Sequence, residues 1–482
     1  MEQTNRTKEL GTAPISSLLL KYAIPAVIAM AASSLYNIVD RIFIGHIPDV
    51  GTLSLGGLAV TFPVMNLAAA FGAMVGVGGS TLMSIKLGQR DYEGAKRVLG
   101  NIVVLNVIMG ILVSVVALIF IHPLLTFFGA SENTYPYAYE YMFIILLGNV
   151  IPHLYLGLNA ALRSTGHPRA AMMATVATVV VNSILDPLFI FTLDMGIRGA
   201  AIATVLSQLF ALCFVWIKLS SPKDLIHLQR GIYGLRKTIV RTILSIGLSP
   251  FCMQLCACLV VILINKGLAT HGGDIAIAAY GIINSVLFLS VMIVLGICQG
   301  MQPIAGFNYG AQLYNRVTLV LRYAIYMATT VMCIEFVICE FFPEYIILPF
   351  TSDTDLTRIS VIAMRIIVCM SPLVGFQIVT SNFFQSIGMP KRSIFLSVSR
   401  QLVFLVPFLI IFPELPTADG TLLGTNGVWI AIAAADAIAF ITSAIMLWQY
   451  YHGGESTHLK SQARAQSLPH RIAAFFNNRL TH

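Results

Sequence analysis

Charged residues are scarce in this sequence. Asp, Glu, Lys and Arg together account for 10% of its 482 residues, whereas 57% are hydrophobic. A soluble chain carries roughly a quarter charged residues, and so few charges could not cover an aqueous surface of this size. This shortage excludes a soluble multidomain enzyme, and we expect lipid to be the solvent for most of the surface.

Catalytic motifs and extramembrane cysteines are missing as well. The chain contains neither an HExxH zinc motif nor a GxSxG nucleophile elbow, so no motif favours a membrane-embedded hydrolase or transferase. All eight cysteines lie in predicted spans, where they cannot build an external disulfide framework. The cluster CMQLCAC at 252–258 could bind a metal, but we interpret it as small side chains at helix contacts. We therefore expect no enzymatic activity and no cofactor.

The sequence does contain long apolar runs. Each is long enough to cross a bilayer, which takes roughly 20 helical residues, and no β-barrel alternation is visible. The runs lie near 21–45, 55–85, 98–121, 139–163, 170–193, 199–218, 242–268, 277–305, 318–342, 359–384, 393–412 and 428–451. The sequence thus predicts an all-α integral membrane protein with twelve transmembrane helices.

The basic residues predict the orientation of these spans. Of the 29 Lys and Arg, 24 lie at the two termini or in every second loop. Positive residues concentrate on the cytoplasmic side, so we place both termini in the cytoplasm and the chain in the cell membrane. The net charge of +8 faces the anionic inner leaflet and indicates topology rather than nucleic-acid binding. Because residues 1–20 are polar, we expect no cleavable signal peptide.

The two halves of the chain repeat each other. Residues 58–92 align without gaps on 280–314, at a spacing of 222 residues. Residues 161–170 align on 383–392 at the same spacing. One offset at separate places predicts a 6+6 duplication, which forms two six-helix bundles around a central cleft.

This duplication divides the chain into segments. They are an N-terminal lobe with a cation site (1–218), a cytoplasmic linker (219–241), a C-terminal lobe (242–451) and a cytoplasmic tail (452–482). Two bundles in the same orientation can rock about a central cleft and give alternating access. The duplication therefore favours a transporter over a channel or a membrane enzyme.

Four acidic residues lie well inside predicted spans, away from the span ends: Asp40, Asp186, Glu335 and Asp436. A charge at the bilayer centre costs about 2.5–3.5 kcal/mol on insertion scales, so each is a functional candidate. Asp40 and Asp186 each lie about eight residues before an outer loop, which places both roughly 12 Å inside the membrane boundary. The alternative is that each acid is an isolated structural group.

Two further side chains can join the carboxylates of Asp40 and Asp186. Asn182 lies one turn before Asp186, and Thr204 lies nine residues beyond the hairpin turn near Met195. Carboxylate, amide and hydroxyl oxygens suit a hard monovalent cation such as Na⁺, or two acids that share one proton.

The duplication also indicates that this site belongs to the first half alone. The second-half counterpart of Asp40 is Asn265, and Asp186 falls near Phe408. The duplicated helices therefore lack the pair of carboxylates.

Other side chains are weaker candidates. Tyr36 and Asn37 lie one turn before Asp40 and could contact substrate. Asp436 could attract a cationic substrate in the second half, although a satisfied helix-contact acid is the alternative. Glu335 could play a similar part, and His153 could relay protons, but we interpret the histidine as a packed interior residue.

Pro25 lies fifteen residues before Asp40 on the first span, and it aligns with Pro250 at a spacing of 225. Proline removes a helix hydrogen bond and invites a kink. A change of charge at Asp40 could bias a bend at Pro25; a static kink is the alternative.

Several segments resemble the multidrug and toxic compound extrusion (MATE) family, in its MepA-like bacterial branch. The resemblance runs from about residue 14 to 450 and is clearest in 24–46, 87–97, 161–168, 184–208 and 280–300. Each motif alone is loose, but their order, spacing and duplication together are specific.

The resemblance implies an exporter of organic, often cationic, amphipathic compounds that is driven by inward Na⁺ or H⁺ and confers antibiotic resistance. The family's cation site maps onto Asp40, Asn182, Asp186 and Thr204, and its bending proline onto Pro25. Second-half acids used by another branch have no clear match. We expect a monomer whose partners are small organic cations and the lipid bilayer, with no nucleic acid.

A flippase for lipid-linked precursors is the alternative transporter. Such a protein should line its cleft with Arg and Lys that bind pyrophosphate. Intramembrane basic residues are scarce, and only Arg365 and Arg400 are candidates.

Overall fold

The computed structural model describes residues 9–351, 353–416 and 422–452. Within these ranges the chain is helical apart from turns, irregular segments such as 221–236, and one isolated bridge between Pro416 and Leu422. The predicted tail, apart from its first residue, lies outside the described residues.

Six spans form the first half. Its helices are α1 (Ile15–Gly45), α2 (Gly51–Gly88), α3 (Tyr92–Ile119), α4 (Ile121–Phe127), α5 (Tyr135–Gly148), α6 (Val150–Ser164), α7 (Pro168–Pro187) and α8 (Gly196–Leu219). The helices α5 and α6 form one span that is bent by 53°. A π-helical turn, Leu188–Thr192, continues α7. Such turns widen a helix and are frequent at functional sites.

The second half repeats this order. Its helices are α9 (Lys237–Gly310), α10 (Tyr314–Phe341), α11 (Pro343–Ile347), α12 (Thr354–Val368), α13 (Ser371–Ser386), α14 (Pro390–Val398), α15 (Val406–Ile411) and α16 (Gly424–His452). The helices α12 and α13 form a span bent by 50°. A π-helical segment, Ser399–Leu405, joins α14 to α15.

The helix α9 contains two spans. At 1.5 Å per residue its 74 residues would extend about 110 Å, far more than one bilayer. The helix breaks at Gly273, whose φ of 62° and ψ of −161° lie in a region that favours glycine. Residues 237–272 and 274–310 therefore cross separately.

The predicted all-α architecture of twelve spans is confirmed. The described residues contain eleven candidate spans when each bent pair counts as one, and the break in α9 adds the twelfth. Several helices extend beyond their predicted ends, because apolar runs mark only the part that lies in lipid. For example, α2 continues through Lys86 to Gly88.

The first span of each half crosses from one bundle to the other. Leu18 of α1 packs in a core formed mainly by second-half residues, whereas Ile44 packs in a first-half core. In α9 the order is reversed, since Ile243 packs with the first half and Leu268 with the second. Both helices carry a proline between the two contacts, Pro25 in α1 and Pro250 in α9.

The two halves approach closely at the end of the bundle that carries the basic loops. A Cβ on Gly88 would overlap the carbonyl oxygen of Phe307, and a Cβ on Gly310 would overlap that of Ile85. These two contacts are related by the 222-residue repeat, so they form a reciprocal pair. Only glycine allows the two backbones to come this close.

A buried glutamine joins the halves nearby. Gln302 of α9 donates through Nε2 to Oγ of Ser80, at 2.9 Å, and to Oγ1 of Thr81, at 2.7 Å. Hydrogen bonds between helices supply polar contacts where water is absent.

We expect Gly88→Ala and Gly310→Ala each to lower the thermal unfolding midpoint of the detergent-purified protein. The added methyl group must displace the facing backbone, and such overpacking costs about 1–3 kcal/mol. Gly281→Ala is the matched control, because nothing lies within 4 Å of a Cβ at that helical position. Equal midpoints for Gly88→Ala and Gly281→Ala would contradict the proposed close approach.

The turn between α2 and α3 is held by Asp91. Its Oδ1 accepts a hydrogen bond from the backbone N–H of Gly94, at 2.9 Å, which caps α3. Its Oδ2 accepts one from Nζ of Lys86, at 2.8 Å. The Lys86 bond and then the Gly94 bond lower the pKa of Asp91 from its ordinary value.

A lowered folded-state pKa makes the contribution of Asp91 depend on pH. The contribution is present above the pKa of the unfolded chain and is lost as the pH falls through the folded value. We expect Asp91→Ala to reduce the free energy of unfolding by about 1 kcal/mol at neutral pH and by less in acid. Asp91→Asn, which keeps the cap, should lose less. Unfolding curves measured across pH test this; a deficit that is constant across pH would refute it.

Candidate cation site

Two residues of α1 lie at the centre of the candidate site. Asp40 is 6% exposed, and it lies five residues before the end of the helix at Gly45. That distance is about 8 Å along the axis. Tyr36 lies one turn earlier, and its hydroxyl turns toward α8.

The helix α7 contributes an amide and a second carboxyl. Asn182 and Asp186 are both fully buried, at 0% exposure. Nδ2 of Asn182 donates to Oδ1 of Asp186, at 3.1 Å. This i,i+4 pair lies directly before Pro187 and the π-helical turn, which end the regular helix.

The helix α8 adds a hydroxyl from the other arm of a hairpin. Thr204 is 3% exposed, and its Oγ1 lies 3.1 Å from the hydroxyl oxygen of Tyr36. Either hydroxyl can donate in this bond. Asp40 and Asp186 are close enough to interact electrostatically. Three spans of the first half therefore bring five polar side chains together: Tyr36, Asp40, Asn182, Asp186 and Thr204.

Tyr141 is a neighbour of this group that the sequence did not indicate. It lies on α5, is 1% exposed, and interacts with Asp40, Tyr36, Asp186 and Thr204. Four tyrosines occur between residues 135 and 141, and their spacing gives no reason to choose this one. Only the packing of α5 against α8 selects it.

Three buried oxygens of this group lack a hydrogen-bond partner among the described residues. They are Oδ1 of Asp40, Oδ1 of Asn182 and Oδ2 of Asp186. Buried acceptors without donors are costly, and two ionised carboxylates close together in an apolar setting repel. A small hard cation or a proton would satisfy these oxygens, since all of them can act as oxygen ligands.

The remaining candidates do not bond to this group. Asn37 is exposed, and its Nδ2 donates to the backbone oxygen of Ser33, at 2.9 Å. Asp436 lies in the other bundle and accepts a bond from Nε of Arg400, at 2.7 Å. Arg41 is exposed, and its guanidinium lies over the ring of Phe62, 5.4 Å from the centroid.

Two weaker candidates are buried elsewhere. His153 bonds through Nδ1 to the backbone oxygen of Asn149, at 2.8 Å. Glu335 is 5% exposed and belongs to α10 of the second half.

We expect Thr204→Val to lower the thermal unfolding midpoint, because it removes the hydrogen bond to the half-buried Tyr36 hydroxyl. The cost should be about 1 kcal/mol. Thr204→Ser keeps the hydroxyl and should lie closer to the parent protein. If the valine variant, which keeps the methyl group and lacks only the hydroxyl, were as stable as the parent protein, the hydrogen bond would not contribute to stability.

The chain is similar to known proteins along most of its length. The MatE family model matches residues 25–188 and again 250–411, so it covers both duplicated halves. The chain is 24% identical over 436 residues to the multidrug export protein MepA of Staphylococcus aureus (strain MSSA476), which covers 90% of this chain and 94% of that one. MepA of Staphylococcus haemolyticus (strain JCSC1435) is also 24% identical, over 433 residues, with 90% and 93% covered.

Solved structures share the same fold. One is described as an outward-facing conformation of a multidrug resistance MATE family transporter, with a TM-score of 0.84 and 28% identity over 94% of this chain and 98% of that one. Another is a MATE in the bent conformation, with a TM-score of 0.86 and 28% identity over 95% and 99%. This chain therefore has their arrangement of two helical bundles.

Proposed function

The chain belongs to the multidrug and toxic compound extrusion (MATE) family of transporters, and on that premise we propose that it is an antiporter for small organic cations. It is a multi-pass membrane protein and not an enzyme. In this proposal inward movement of Na⁺ or H⁺ drives the export of amphipathic, often cationic, compounds.

The observation that carries the proposal is the group of unpartnered oxygens in the first bundle. Asp40, Asn182 and Asp186 each leave an oxygen without a donor, beside the hydroxyl of Thr204. A protein that only needed stability would pair such groups or replace them with apolar ones. Oxygens that await a cation or a proton are what an ion-coupled transporter requires.

The helix α1 links this site to the other bundle. Asp40 lies near its outer end, while Leu18 and Tyr22, at the opposite end, pack in a core formed mainly by second-half residues. An ion that binds Asp40 better in one state shifts the equilibrium toward that state. The change in conformation is transmitted to the second bundle because α1 contacts both bundles.

Pro25 lies between these two contacts on α1 and is our proposed bending point. Proline removes a hydrogen bond of the helix, so the backbone can bend there at low cost. Neutralising Asp40 would change how the outer part of α1 packs on α7 and α8, and the bend would follow.

The proposed topology follows from charge. We assign the basic loops and both termini to the cytoplasm, in the cell membrane, because cytoplasmic loops are enriched in Lys and Arg. On this assignment 1–218 and 242–451 are the two lobes, 219–241 is the linker and 452–482 the tail. One chain supplies both lobes, so we propose a monomer as the transporting unit.

Substrate contacts are proposed on both sides of the cleft. Asn37 is exposed beside the cation site, one helical position from Tyr36. In the second bundle Asp436 is bound to Arg400, so a cationic substrate would compete with that guanidinium. The same pairing weakens the flippase alternative, because Arg400 is neutralised and Arg365 is exposed on α12.

Efflux of ethidium from proteoliposomes, under separately imposed Na⁺ and pH gradients, tests the proposal. We expect one of the two gradients to drive efflux, and we expect Asp40→Asn and Asp186→Asn each to reduce it to the level of empty liposomes. Either substitution removes the charge that the coupling ion neutralises.

Asp274→Asn is the control, because this acid is exposed next to the break in α9 and should leave efflux unchanged. Efflux that is indifferent to both gradients would overturn the antiport proposal. Gradient-driven efflux that survives Asp40→Asn would instead move the coupling site elsewhere.

A further inference from the structure

A third buried carboxyl lies in the second bundle, away from Asp40 and Asp186. Glu335 of α10 is 5% exposed. It lies six residues before the end of the helix at Phe341, which is about 9 Å along the axis. Asp40 lies at nearly the same distance from the end of α1. Each bundle thus buries an acid at a similar distance from a helix end.

Hydroxyl groups from two other helices surround this carboxyl. Ser290, in the second span of α9, and Ser371, the first residue of α13, lie beside it. The thiol of Cys339 approaches from the next turn of α10. Neither carboxyl oxygen makes a hydrogen bond of regular geometry within the described part of the chain, although both serine hydroxyls lie close enough to interact with it. Glu335 shares this property with the acids of the first bundle.

None of the described residues forms an ion pair with Glu335. The neighbouring helices are α1, α9, α11, α12 and α13. The last of these has no charged residue. The charged side chains of the other four helices are exposed, except for Asp40, which belongs to the first bundle's site. They are Lys21, Asp40, Arg41, Lys237, Arg241, Lys266, Asp274, Glu344, Asp355, Arg358 and Arg365. An ionised Glu335 would therefore be a buried charge with no cation to compensate it and only two hydroxyls beside it.

The surrounding groups favour a proton over a metal cation. One carboxyl and two hydroxyls supply few oxygens, and a thiol is a poor ligand for a hard cation. The first bundle differs, because it offers two carboxyls and an amide. A protonated Glu335, by contrast, gains a donor that either serine oxygen can accept.

We propose that Glu335, with Ser290 and Ser371, forms a second proton-binding site that loads and unloads during transport. Water supplies the proton, the carboxylate becomes a carboxylic acid, and its O–H donates to a serine Oγ. The proton returns to water when the cationic substrate enters. This step extends the proposed antiport, but the binding of the proton does not depend on the site at Asp40 and Asp186.

Infrared difference spectroscopy of the purified full-length protein tests the site directly. In an Asp40→Asn/Asp186→Asn background, we expect a protonated-carboxyl band that decreases when tetraphenylphosphonium is added. Addition of Glu335→Gln should remove this band, whereas addition of Glu340→Gln, an acid on the same helix, should leave it. The proton released into weakly buffered solution per bound tetraphenylphosphonium should fall to zero with Glu335→Gln.

A purely structural acid gives a different result. Its band would disappear with Glu335→Gln but would respond neither to tetraphenylphosphonium nor to pH, and that outcome overturns the proposal. A band that survives Glu335→Gln overturns it as well. If Glu335→Gln does not fold, Ser371→Ala should shift the band by removing a hydrogen-bond partner, and an unshifted band counts against the site.

Failure of the first proposal is distinguishable from failure of this one. The infrared readout is made with the first bundle's acids removed and requires no transport. A missing effect of Asp40→Asn on ethidium efflux would therefore leave the result at Glu335 intact.

Discussion

The structure depends on one constraint: no water is available inside the hydrocarbon to satisfy a polar group. The backbone meets it by forming helices throughout the membrane. Most short polar side chains meet it locally, as Ser33 does with the oxygen of Ala29 and Thr178 with that of Ala174. Such bonds need nothing beyond one helix, and these residues need no function to explain them.

The same constraint separates the intramembrane acids into two kinds. Asp436 is bound to Arg400, so its charge has a partner of opposite sign. Asp40, Asp186 and Glu335 each retain an oxygen without a partner. A permanent unpaired carboxylate would destabilise the fold, so these residues are explained best by a partner that arrives and leaves. The structure thus separates an acid that is paired within the fold from acids that are not. In our proposal, the unpaired acids are the ones that bind a coupling ion or a proton.

Much of this could be predicted from the sequence, because the signals are local or repeated. Apolar runs located the twelve spans, and a constant offset located the duplication. Helical periodicity placed Asn182 beside Asp186, and the hairpin turn brought Thr204 to their level.

What could not be predicted depends on packing between distant spans. No pattern in the sequence selects Tyr141 from its neighbouring tyrosines or pairs Arg400 with Asp436. The continuation of α9 up to Gly273 was missed for a related reason. Residues 269–276 are polar enough to be interpreted as a loop, yet the residues on both sides of the break at Gly273 remain helical, because the backbone hydrogen bonds of a helix do not require an apolar sequence.

Some features of this chain are preserved across the duplication and others are not, and we assign the two sets different roles. The reciprocal contacts of Gly88 and Gly310 are preserved across the duplication, and so are Pro25 and Pro250 on the helices that cross between bundles. The acids are not preserved, since Asn265 stands where the repeat would place Asp40 and Val113 where it would place Glu335. In the antiport that we propose, the symmetric contact lets the bundles rock between two similar packings. Unlike acids would then make the two packings respond differently to an ion, and this difference would convert an ion gradient into directed transport.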